Sequence, residues 1–109
     1  METLLNKVQL LAAEELERAN NVHPQFHSRH EALGVLAEEI WEVEKEIEDA
    51  EISYDLIRED VFVDVETRVL ERHIGRLEKN LTFAIGEAIQ CIAMIKKFRC
   101  YLDANEEDV

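Results

Sequence analysis

The feature that most limits the possible folds is a long apolar repeat in the first half of the chain. Apolar side chains recur there at alternating intervals of three and four residues, at Leu33, Leu36, Ile40, Val43, Ile47, Ala50, Tyr54, Ile57 and Val61. This is the a/d pattern of a helix that packs lengthwise against another helix. The chain of 109 residues contains only three Gly and one Pro, which leaves little material for turns. The sequence therefore predicts an all-α protein.

Local signals divide the chain into predicted helices at about residues 3–19, 29–59 and 64–102, followed by a loose tail at 103–109. The first helix ends before His23-Pro24, because the residue before a proline disfavours helical conformation. Ser28 and Glu31 form a capping box at the start of the second helix. The β-branched stretch around residues 61–63 separates the second helix from the third.

Helices 2 and 3 are expected to form a long antiparallel hairpin, because only a short turn joins them. A turn near Phe62 places Glu39 level with Ile85 and Glu87 level with Ala37. Such a hairpin has little interior of its own, so the short N-terminal helix and another copy of the chain are expected to cover its apolar faces. The sequence therefore predicts one helical domain that assembles into a helical-bundle homo-oligomer, a homodimer or a homotetramer.

The charge of the chain limits the classes of partner. A net charge of -13 argues against binding nucleic acid or an anionic membrane through a basic surface. A polyanion can still bind an acidic site together with divalent cations. The N-terminus has no signal-peptide pattern, and no apolar stretch is long enough to span a bilayer. Cys91 and Cys100 fall on opposite faces of one predicted helix and cannot pair, so free thiols predict a reducing, cytoplasmic location.

Glu87 stands inside the most apolar run of the chain, AIGEAIQCIAM. An unpartnered buried carboxylate is costly, so Glu87 needs a proton, a cation from another segment or a metal ion. Glu39, Glu42 and Glu46 border the apolar seam of helix 2 and fall within about one helical turn of Glu87 in the expected hairpin. Crowded carboxylates without Cys or His favour Mg²⁺ or Mn²⁺. Glu87 is therefore interpreted as a metal ligand.

These acidic residues resemble the signature of a known family. Glu38-Glu39-x-x-Glu42, followed by Glu87 on a later helix, resembles the EExxE…ExxD signature of the all-α nucleoside triphosphate pyrophosphatases, the MazG-like superfamily. The segments HEALGVLAEEIWEVEKEI and EAIQCIAMIKKF look like short MazG-like proteins of phages and Gram-positive bacteria. An aromatic-His pair before the leucines resembles the dCTP pyrophosphatase branch in spacing. The resemblance covers about residues 26–98.

The resemblance implies Mg²⁺-dependent hydrolysis of a nucleoside triphosphate, with a deoxynucleotide as the favoured substrate, to a monophosphate and pyrophosphate. It implies a metal site formed by Glu39, Glu42, Glu87 and Gln90, and a substrate site that includes Phe26 and His27. Lys97 is added to the predicted substrate site because of its position after Glu87. Glu38, or alternatively Glu46, would orient and deprotonate the attacking water. Gln90 stands where the family normally has Asp, which removes one negative charge. The alternative function is therefore a catalytically weak, MazG-like helical oligomer that binds a nucleotide or a protein partner.

Several of these residues also have simpler interpretations. Glu87 could pair with a cation of helix 1 or of a second chain, such as Arg18. A zinc site built from His23, His27 and His30 is disfavoured, because the chain bends at Pro24 and no cysteine joins the histidines. Trp41 lies opposite the apolar seam and is expected to be an oligomer contact.

The basic residues Lys96, Lys97 and Arg99 follow Glu87 on the same predicted helix. They are placed to reach the phosphates of a nucleotide. Basic residues are also common near the C-terminal end of a helix, where they interact favourably with its dipole. The pattern therefore does not by itself distinguish a phosphate site from an ordinary helix end.

Overall fold

The computed structural model describes residues 1–105, which form three α-helices and no strand: α1 (Glu2–Val22), α2 (Arg29–Phe62) and α3 (Thr67–Ala104). The prediction of an all-α protein is confirmed. The helix ends differ from the expected ones by a few residues. In particular, α2 continues to Phe62, and Asp103 and Ala104 are helical although they were expected in the tail. The rest of the predicted tail, at 106–109, lies outside the described residues.

The start of α2 is held by side-chain hydrogen bonds. Ser28 Oγ accepts a hydrogen bond from the backbone N–H of Glu31 at 3.0 Å, as the capping box requires. The reciprocal bond is displaced by one residue, because the Glu31 carboxylate accepts from the N–H of His27 at 3.3 Å. The same carboxylate also contacts His27 Nδ1 at 3.1 Å. The predicted helix start is therefore correct, and Glu31 additionally ties the preceding loop to the helix.

The turn between α2 and α3 reverses the chain through one left-handed residue. Asp64 has a φ of 51°, a conformation that Asp tolerates better than most residues. The N–H of Val63 donates to the carbonyl of Glu59, and the N–H of Val65 donates to the carbonyl of Asp60, so the carbonyls at the end of α2 are satisfied. The two long helices then run antiparallel along a molecule whose longest extent is 63 Å.

The predicted register of this hairpin is wrong by more than one helical turn. Glu87 was expected level with Ala37, but its carboxyl group lies against that of Glu42, five residues further along α2. The reason is that α2 remains helical up to Phe62 and the connection to α3 follows that residue. The chain therefore reverses later than expected, and every position on α3 is shifted toward the C-terminal end of α2.

Small and polar side chains fill the contact between α2 and α3. Residues spaced seven apart on each helix lie along this contact and form a row that we call the interface row. Its members are Ala32, Glu39, Glu46, Ser53 and Asp60 on α2 and His73, Asn80 and Glu87 on α3. Ser53 is fully buried, and its Oγ donates to Asn80 Oδ1 at 2.7 Å. The carboxylate of Asp60 contacts His73 Nδ1. Polar pairs therefore set the register of the hairpin.

Large apolar side chains lie one position beyond the interface row and remain exposed. On α2 and α3 they form a surface that we call the apolar face, composed of Leu33, Ile40, Ile47, Tyr54, Val61, Ile74, Leu81, Ile95 and Leu102, each 37–60% exposed. On each helix, the apolar side chains are displaced from the interface row in the same rotational sense. Because the helices are antiparallel, the apolar side chains of α2 and α3 lie on the same side of the hairpin. The apolar repeat of helix 2 is thus only partly used within the chain.

The first helix packs mainly against α3, where Ala12 and Ala93 are buried. The buried apolar residues are mostly small, which lets the helix backbones approach closely. Such a core buries little apolar surface for its length. Among the described residues, none of the helices combines the length and the apolar character needed to cross a membrane.

Candidate metal centre

Three glutamates from two helices meet in the contact between α2 and α3. Glu39, Glu42 and Glu87, which we call the acidic triad, each offer a carboxylate oxygen within 4.8 Å of the oxygens of the other two. Glu39 and Glu42 are three residues apart and therefore lie on neighbouring parts of one helix face. Glu87 belongs to the interface row, which directs it toward α2. The structure thus brings together three of the four residues that were predicted as metal ligands.

The electrostatic surroundings oppose the charged form of this cluster. A hydrogen bond with Glu42 raises the pKa of Glu87, and burial together with the negative charges of Glu42, Glu39 and Glu46 raises it further. Burial is also the largest cause that raises the pKa of Glu39, followed by the charges of Glu42 and Glu38. The folded protein therefore favours a bound proton or a bound cation at the triad.

Two oxygen atoms of the triad are buried without a partner. Glu39 Oε2 and Glu87 Oε2 are each shielded from solvent and have no hydrogen-bond partner among the described residues. A buried polar atom that lacks a partner costs about 1–3 kcal/mol, and more when it carries charge. The triad therefore fits a hard divalent cation such as Mg²⁺ or Mn²⁺, whose oxygen ligands come from carboxylates and water.

The alternative partner for Glu87 is engaged elsewhere. The guanidinium of Arg18 hydrogen-bonds Glu15 on its own helix and is largely exposed. Lys45 lies over the ring of Trp41, with its Nζ 5.4 Å from the ring centroid. Within residues 1–105 no salt bridge joins a basic side chain to the triad. The ion-pair interpretation of Glu87 therefore has no support within a single chain.

A thiol lies close to the triad. Burial raises the pKa of the Cys91 thiol, and the nearby charge of Glu39 raises it further. A protonated thiol is a poor metal ligand, because the thiolate is the binding species. The acidic triad therefore offers carboxylate oxygens as its ligands, although the sequence analysis expected no cysteine beside it. Cys91 and Cys100 are both free, so the expectation that they do not pair is confirmed.

The other residues predicted for the metal site lie in different surroundings. Gln90 is exposed and lines a groove of about 240 Å³ between α1 and α3, next to Leu11, Glu14 and Arg18. Glu38 is exposed on α2, whereas Glu46 is half-buried in the interface row. Of the two residues that were considered for orienting water, Glu38 is therefore the more exposed.

A pocket lies on the N-terminal side of the triad along α2, and no member of the triad lines it. It has a volume of about 550 Å³ and includes Phe26, His27 and Lys97, the three residues that were predicted to bind substrate. Val22, Val35 and Met94 also line it and were not predicted. Val35 precedes Glu39 by about one turn of α2, roughly 6 Å along the helix axis. A ligand with an apolar ring and an anionic group could therefore occupy both sites.

Lys97 has a structural task in this pocket. It is buried, its Nζ donates a hydrogen bond to the carbonyl of His23, and the Nζ lies 4.8 Å from the centroid of the Phe26 ring. Phe26 is buried as well and packs edge-to-face on Phe98, with the ring centroids 6.5 Å apart. Lys97 thus anchors the loop that forms one wall of the pocket.

The histidines of this region do not form a metal site. Among the described residues, no group of three potential metal ligands includes a histidine. His27 is largely exposed and pairs with Glu31, and this hydrogen bond is the main cause that lowers the pKa of Glu31. The zinc interpretation of His23, His27 and His30, disfavoured from the sequence, has no support in the structure.

Sequence reasoning missed the polar pairs that fix the hairpin. Ser53 and Asn80 hydrogen-bond each other, and Asp60 contacts His73. In the sequence, these polar residues are marked only by their spacing of seven residues along each helix. Each of them directly precedes a residue of the apolar face. That signal becomes readable only when the register of the two helices is known.

The chain matches no protein-family model, no curated protein and no solved structure with which it was compared. The resemblance to the MazG-like superfamily accordingly stays a prediction that depends on the motif residues.

Proposed function

We propose that this protein is a Mg²⁺-dependent nucleoside triphosphate pyrophosphohydrolase, with deoxynucleotides as the favoured substrates. The observation that carries the proposal is the acidic triad, in which Glu39 and Glu87 each hold a buried oxygen atom without a partner. The neighbouring pocket of about 550 Å³ falls within the usual size range of small-molecule sites. Mn²⁺ has similar ligand preferences and is expected to replace Mg²⁺.

Each part of the site has a separate task in this reaction. Glu39, Glu42 and Glu87 would hold the cation, which supplies positive charge for the phosphate oxygens. Without it, the triphosphate would meet a chain of net charge -13 and a cluster of carboxylates. The pocket beside Phe26 and Val35 would hold the base and sugar.

The chemical step exchanges one bond at phosphorus for another. The oxygen of a water molecule forms a new bond to phosphorus, and the bridging bond between the α- and β-phosphates breaks. The electron pair of that bond leaves with the departing phosphate group, and the proton of the water passes to a carboxylate or to solvent. The products are a nucleoside monophosphate and pyrophosphate.

Homo-oligomer formation is part of the proposal. The apolar face presents large side chains on both long helices, and a monomer of this shape leaves them partly in water. A second copy of the chain would cover this face with an identical heptad pattern, giving a homodimer or a homotetramer. The free thiols support a reducing, cytoplasmic location.

One observation favours a second candidate function. Gln90 is neutral and is exposed in the groove beside α1, so it adds no charge to the triad. A weaker cation site would suit a helical oligomer that binds a nucleotide or a protein partner without efficient hydrolysis.

A pyrophosphate-release assay distinguishes the two functions. The eight common nucleoside and deoxynucleoside triphosphates are each incubated with the protein, with and without Mg²⁺. Release that requires Mg²⁺ and disappears in Glu87→Gln, but persists in the exposed-site control Glu44→Gln, supports the hydrolase. Nucleotide binding without release from any of the eight supports the alternative.

A further inference from the structure

Two charged side chains of opposite sign line the pocket of about 550 Å³. Lys97 lies at its buried end and is only 6% exposed, whereas the Glu31 side chain is 42% exposed and lies nearer the surface. Apolar side chains from all three helices, Val22, Val35 and Met94, form other parts of the lining. The pocket therefore suits a planar, largely apolar ring that carries polar groups on its edge.

The ammonium group of Lys97 is buried without a carboxylate. Its Nζ donates to the carbonyl of His23 and lies 4.8 Å from the centroid of the Phe26 ring. No salt bridge within residues 1–105 involves Lys97. An ammonium group has three N–H donors, and the His23 carbonyl accepts only one of them. Because a buried charged donor without a partner is costly, Lys97 favours a ligand that presents a hydrogen-bond acceptor to it.

Glu31 offers the complementary group. Its Oε1 accepts a hydrogen bond from the backbone N–H of His27 at 3.3 Å, and its Oε2 contacts His27 Nδ1 at 3.1 Å. A carboxylate oxygen can accept two hydrogen bonds, so both oxygens keep the capacity to accept another. The pocket thus presents a donor at its buried end and an acceptor nearer its opening.

Both groups lie on the same side of the acidic triad. Lys97 follows Glu87 by ten residues on α3, and Glu31 precedes Glu39 by eight residues on α2. These separations correspond to about 15 Å and about 12 Å along the helix axes. Because the two helices are antiparallel, the two displacements point in the same direction. A cation that holds phosphates at the triad therefore leaves the sugar and the base, rather than the phosphates, to reach Lys97.

The edge of a nucleobase that lies farthest from the sugar has one of two chemical patterns. Keto bases (uracil, thymine, guanine and hypoxanthine) carry a carbonyl oxygen there, next to a ring N–H. Amino bases (cytosine and adenine) carry an amino group there, next to a ring nitrogen that accepts. With the sugar directed toward the triad, the carbonyl or amino group points to the buried end of the pocket. Only a keto base then gives Lys97 an acceptor and Glu31 a donor.

We propose that Lys97 and Glu31 recognise this edge and make the protein selective for nucleotides that carry a keto base. Lys97 donates to the carbonyl oxygen of the base, and Glu31 accepts from the adjacent ring N–H. An amino base would set donor against donor at Lys97 and acceptor against acceptor at Glu31. The inference rests on the proposed function and specifies the class of base that the pocket accepts.

The test compares two pairs of deoxynucleoside monophosphates whose members differ only at this edge. dUMP and dCMP form the pyrimidine pair, and dIMP and dAMP form the purine pair. None of them contains an anhydride bond, so none is consumed by the proposed reaction. Isothermal titration calorimetry with Mg²⁺ measures each Kd. We expect the keto member of each pair that binds to do so at least about 10-fold more tightly, because matched hydrogen bonds at a base edge discriminate to this extent.

Two variants test whether these side chains cause the preference. Lys97→Met should reduce the ratio of the two Kd values to within about 3-fold, because the donor is lost. A loosened loop would instead raise both Kd values alike and leave the ratio unchanged. Glu31→Gln should also reduce the ratio, because an amide can donate as well as accept, while Gln still suits a capping box. Lys79→Met is the matched control at an exposed lysine of α3 and should leave the ratio unchanged.

Three results would overturn the proposal. The first is equal binding of the keto and amino members by the wild-type protein. The second is tighter binding of the amino members. The third is a preference for keto bases that Lys97→Met retains in full.

Failure of this inference and failure of the proposed function give different results. Pyrophosphate release without a preference between keto and amino bases would overturn the inference and leave the hydrolase function in place. Selective binding of dUMP or dIMP without release from any of the eight triphosphates would overturn the function and leave the recognition of the base in place. A protein that binds none of the four monophosphates at millimolar concentration and releases no pyrophosphate would overturn both.

Discussion

A carboxylate oxygen of Glu87 on α3 lies within 4.8 Å of one of Glu42 on α2, and a hydrogen bond between the two carboxyl groups is the main cause that raises the pKa of Glu87. Two carboxyl groups can hydrogen-bond each other only when one of them carries a proton. In the folded protein, these carboxyl groups must therefore bind a proton, bind a cation or repel each other as like charges. Three different changes, namely a lower pH, a neutral substitution or a divalent cation, should each relieve the same repulsion.

A neutral substitution tests this relationship most directly. Glu87→Gln is nearly isosteric and removes one negative charge from the acidic triad. We expect the metal-free variant to be more stable than the wild-type protein by about 1 kcal/mol, because repulsion at a half-buried site is reduced. Millimolar Mg²⁺ should raise the Tm of the wild-type protein by mass action and should not raise the Tm of the variant. Differential scanning fluorimetry measures both effects.

The same experiment can reveal a structural role instead. If Glu87 pairs with a buried cation of a second chain, Glu87→Gln would leave that cation without a partner and lose roughly 3 kcal/mol whether or not Mg²⁺ is present. NaCl at matched ionic strength is the control for screening. Equal stabilisation of the wild-type protein by NaCl and by MgCl₂ would contradict a specific cation site.

The pH dependence of stability follows from the raised pKa values of Glu39 and Glu87. Between the ordinary value of 4.5 and the raised values, the folded protein holds more protons than the unfolded chain. The free energy of unfolding of the metal-free protein should therefore fall as the pH rises through this window. Glu31 has a lowered pKa, so the stability that it contributes is lost only below this window. We expect a higher metal-free Tm near about pH 5 than near about pH 7.5.

Other groups also titrate between these two pH values, so the measurement should be a comparison. The decrease in Tm from about pH 5 to about pH 7.5 should be smaller in Glu87→Gln, because one of the two responsible carboxyl groups is gone. Saturating Mg²⁺ should reverse the contribution of the triad, since the cation competes with the proton. Parallel pH profiles of the two proteins would show that Glu87 does not titrate differently in the folded state.

Much of the fold was predictable because its signals are local. The scarcity of Gly and Pro, the apolar repeat and the cap at Ser28 each act within a few residues of the chain, and each correctly indicated helix. The acidic triad was also predictable, because Glu87 is conspicuous in an apolar run and Glu39 and Glu42 share a helix face. These signals are local, whereas the meeting of Glu87 with the two glutamates of α2 depends on how the helices are aligned.

The register itself was not predictable, because it depends on where α2 ends and on side chains that pair across the hairpin. Ser53 and Asn80 look like ordinary polar residues of two helices until they face each other. The expected register put Glu87 level with Ala37, whereas its carboxyl group lies against that of Glu42.

The apolar face predicts an effect on assembly. Ile40 and Ile47 are 43% and 45% exposed in a single chain, so replacing both with Asp should not disturb the fold of the monomer. We expect the wild-type protein to sediment as a dimer or a tetramer at micromolar concentration, and the double variant to sediment as a monomer. Trp41→Ala is the comparison, because Trp41 is 61% exposed but lies outside this face and was expected from the sequence to be an oligomer contact.

Three outcomes of the sedimentation experiment are informative. Loss of assembly in the Ile40 and Ile47 double variant alone would place the contact on the apolar face. Loss of assembly in Trp41→Ala alone would place the contact on the opposite flank, as the sequence suggested. A wild-type protein that is monomeric at micromolar concentration would contradict both. Circular dichroism of each variant checks that the helices remain formed.

The last prediction concerns Lys97, which was expected from the sequence to bind phosphate and is found anchoring a loop. Its Nζ donates to the carbonyl of His23 and lies over the ring of Phe26. Lys97→Met keeps most of the apolar stem and removes the ammonium. We expect the ligand-free variant to lose about 1–2 kcal/mol, because a hydrogen bond from a charged donor and a buried cation–π contact disappear together.

An exposed cation–π pair of the same chain provides the matched control. Lys79 lies 5.6 Å from the centroid of the Phe83 ring, and Phe83 is 50% exposed. Lys79→Met should cost no more than about 0.5–1 kcal/mol, since water screens the contact. If Lys97 anchors the loop, Lys97→Met should lower the stability of the ligand-free protein and raise the Kd for a nucleotide through the loosened pocket wall. If Lys97 is instead a phosphate ligand, the variant should weaken nucleotide binding while its ligand-free Tm stays close to that of Lys79→Met. Chemical denaturation and nucleotide titration of both variants therefore separate the two roles. Only an anchoring role predicts that Lys97→Met lowers both the stability of the ligand-free protein and its affinity for a nucleotide.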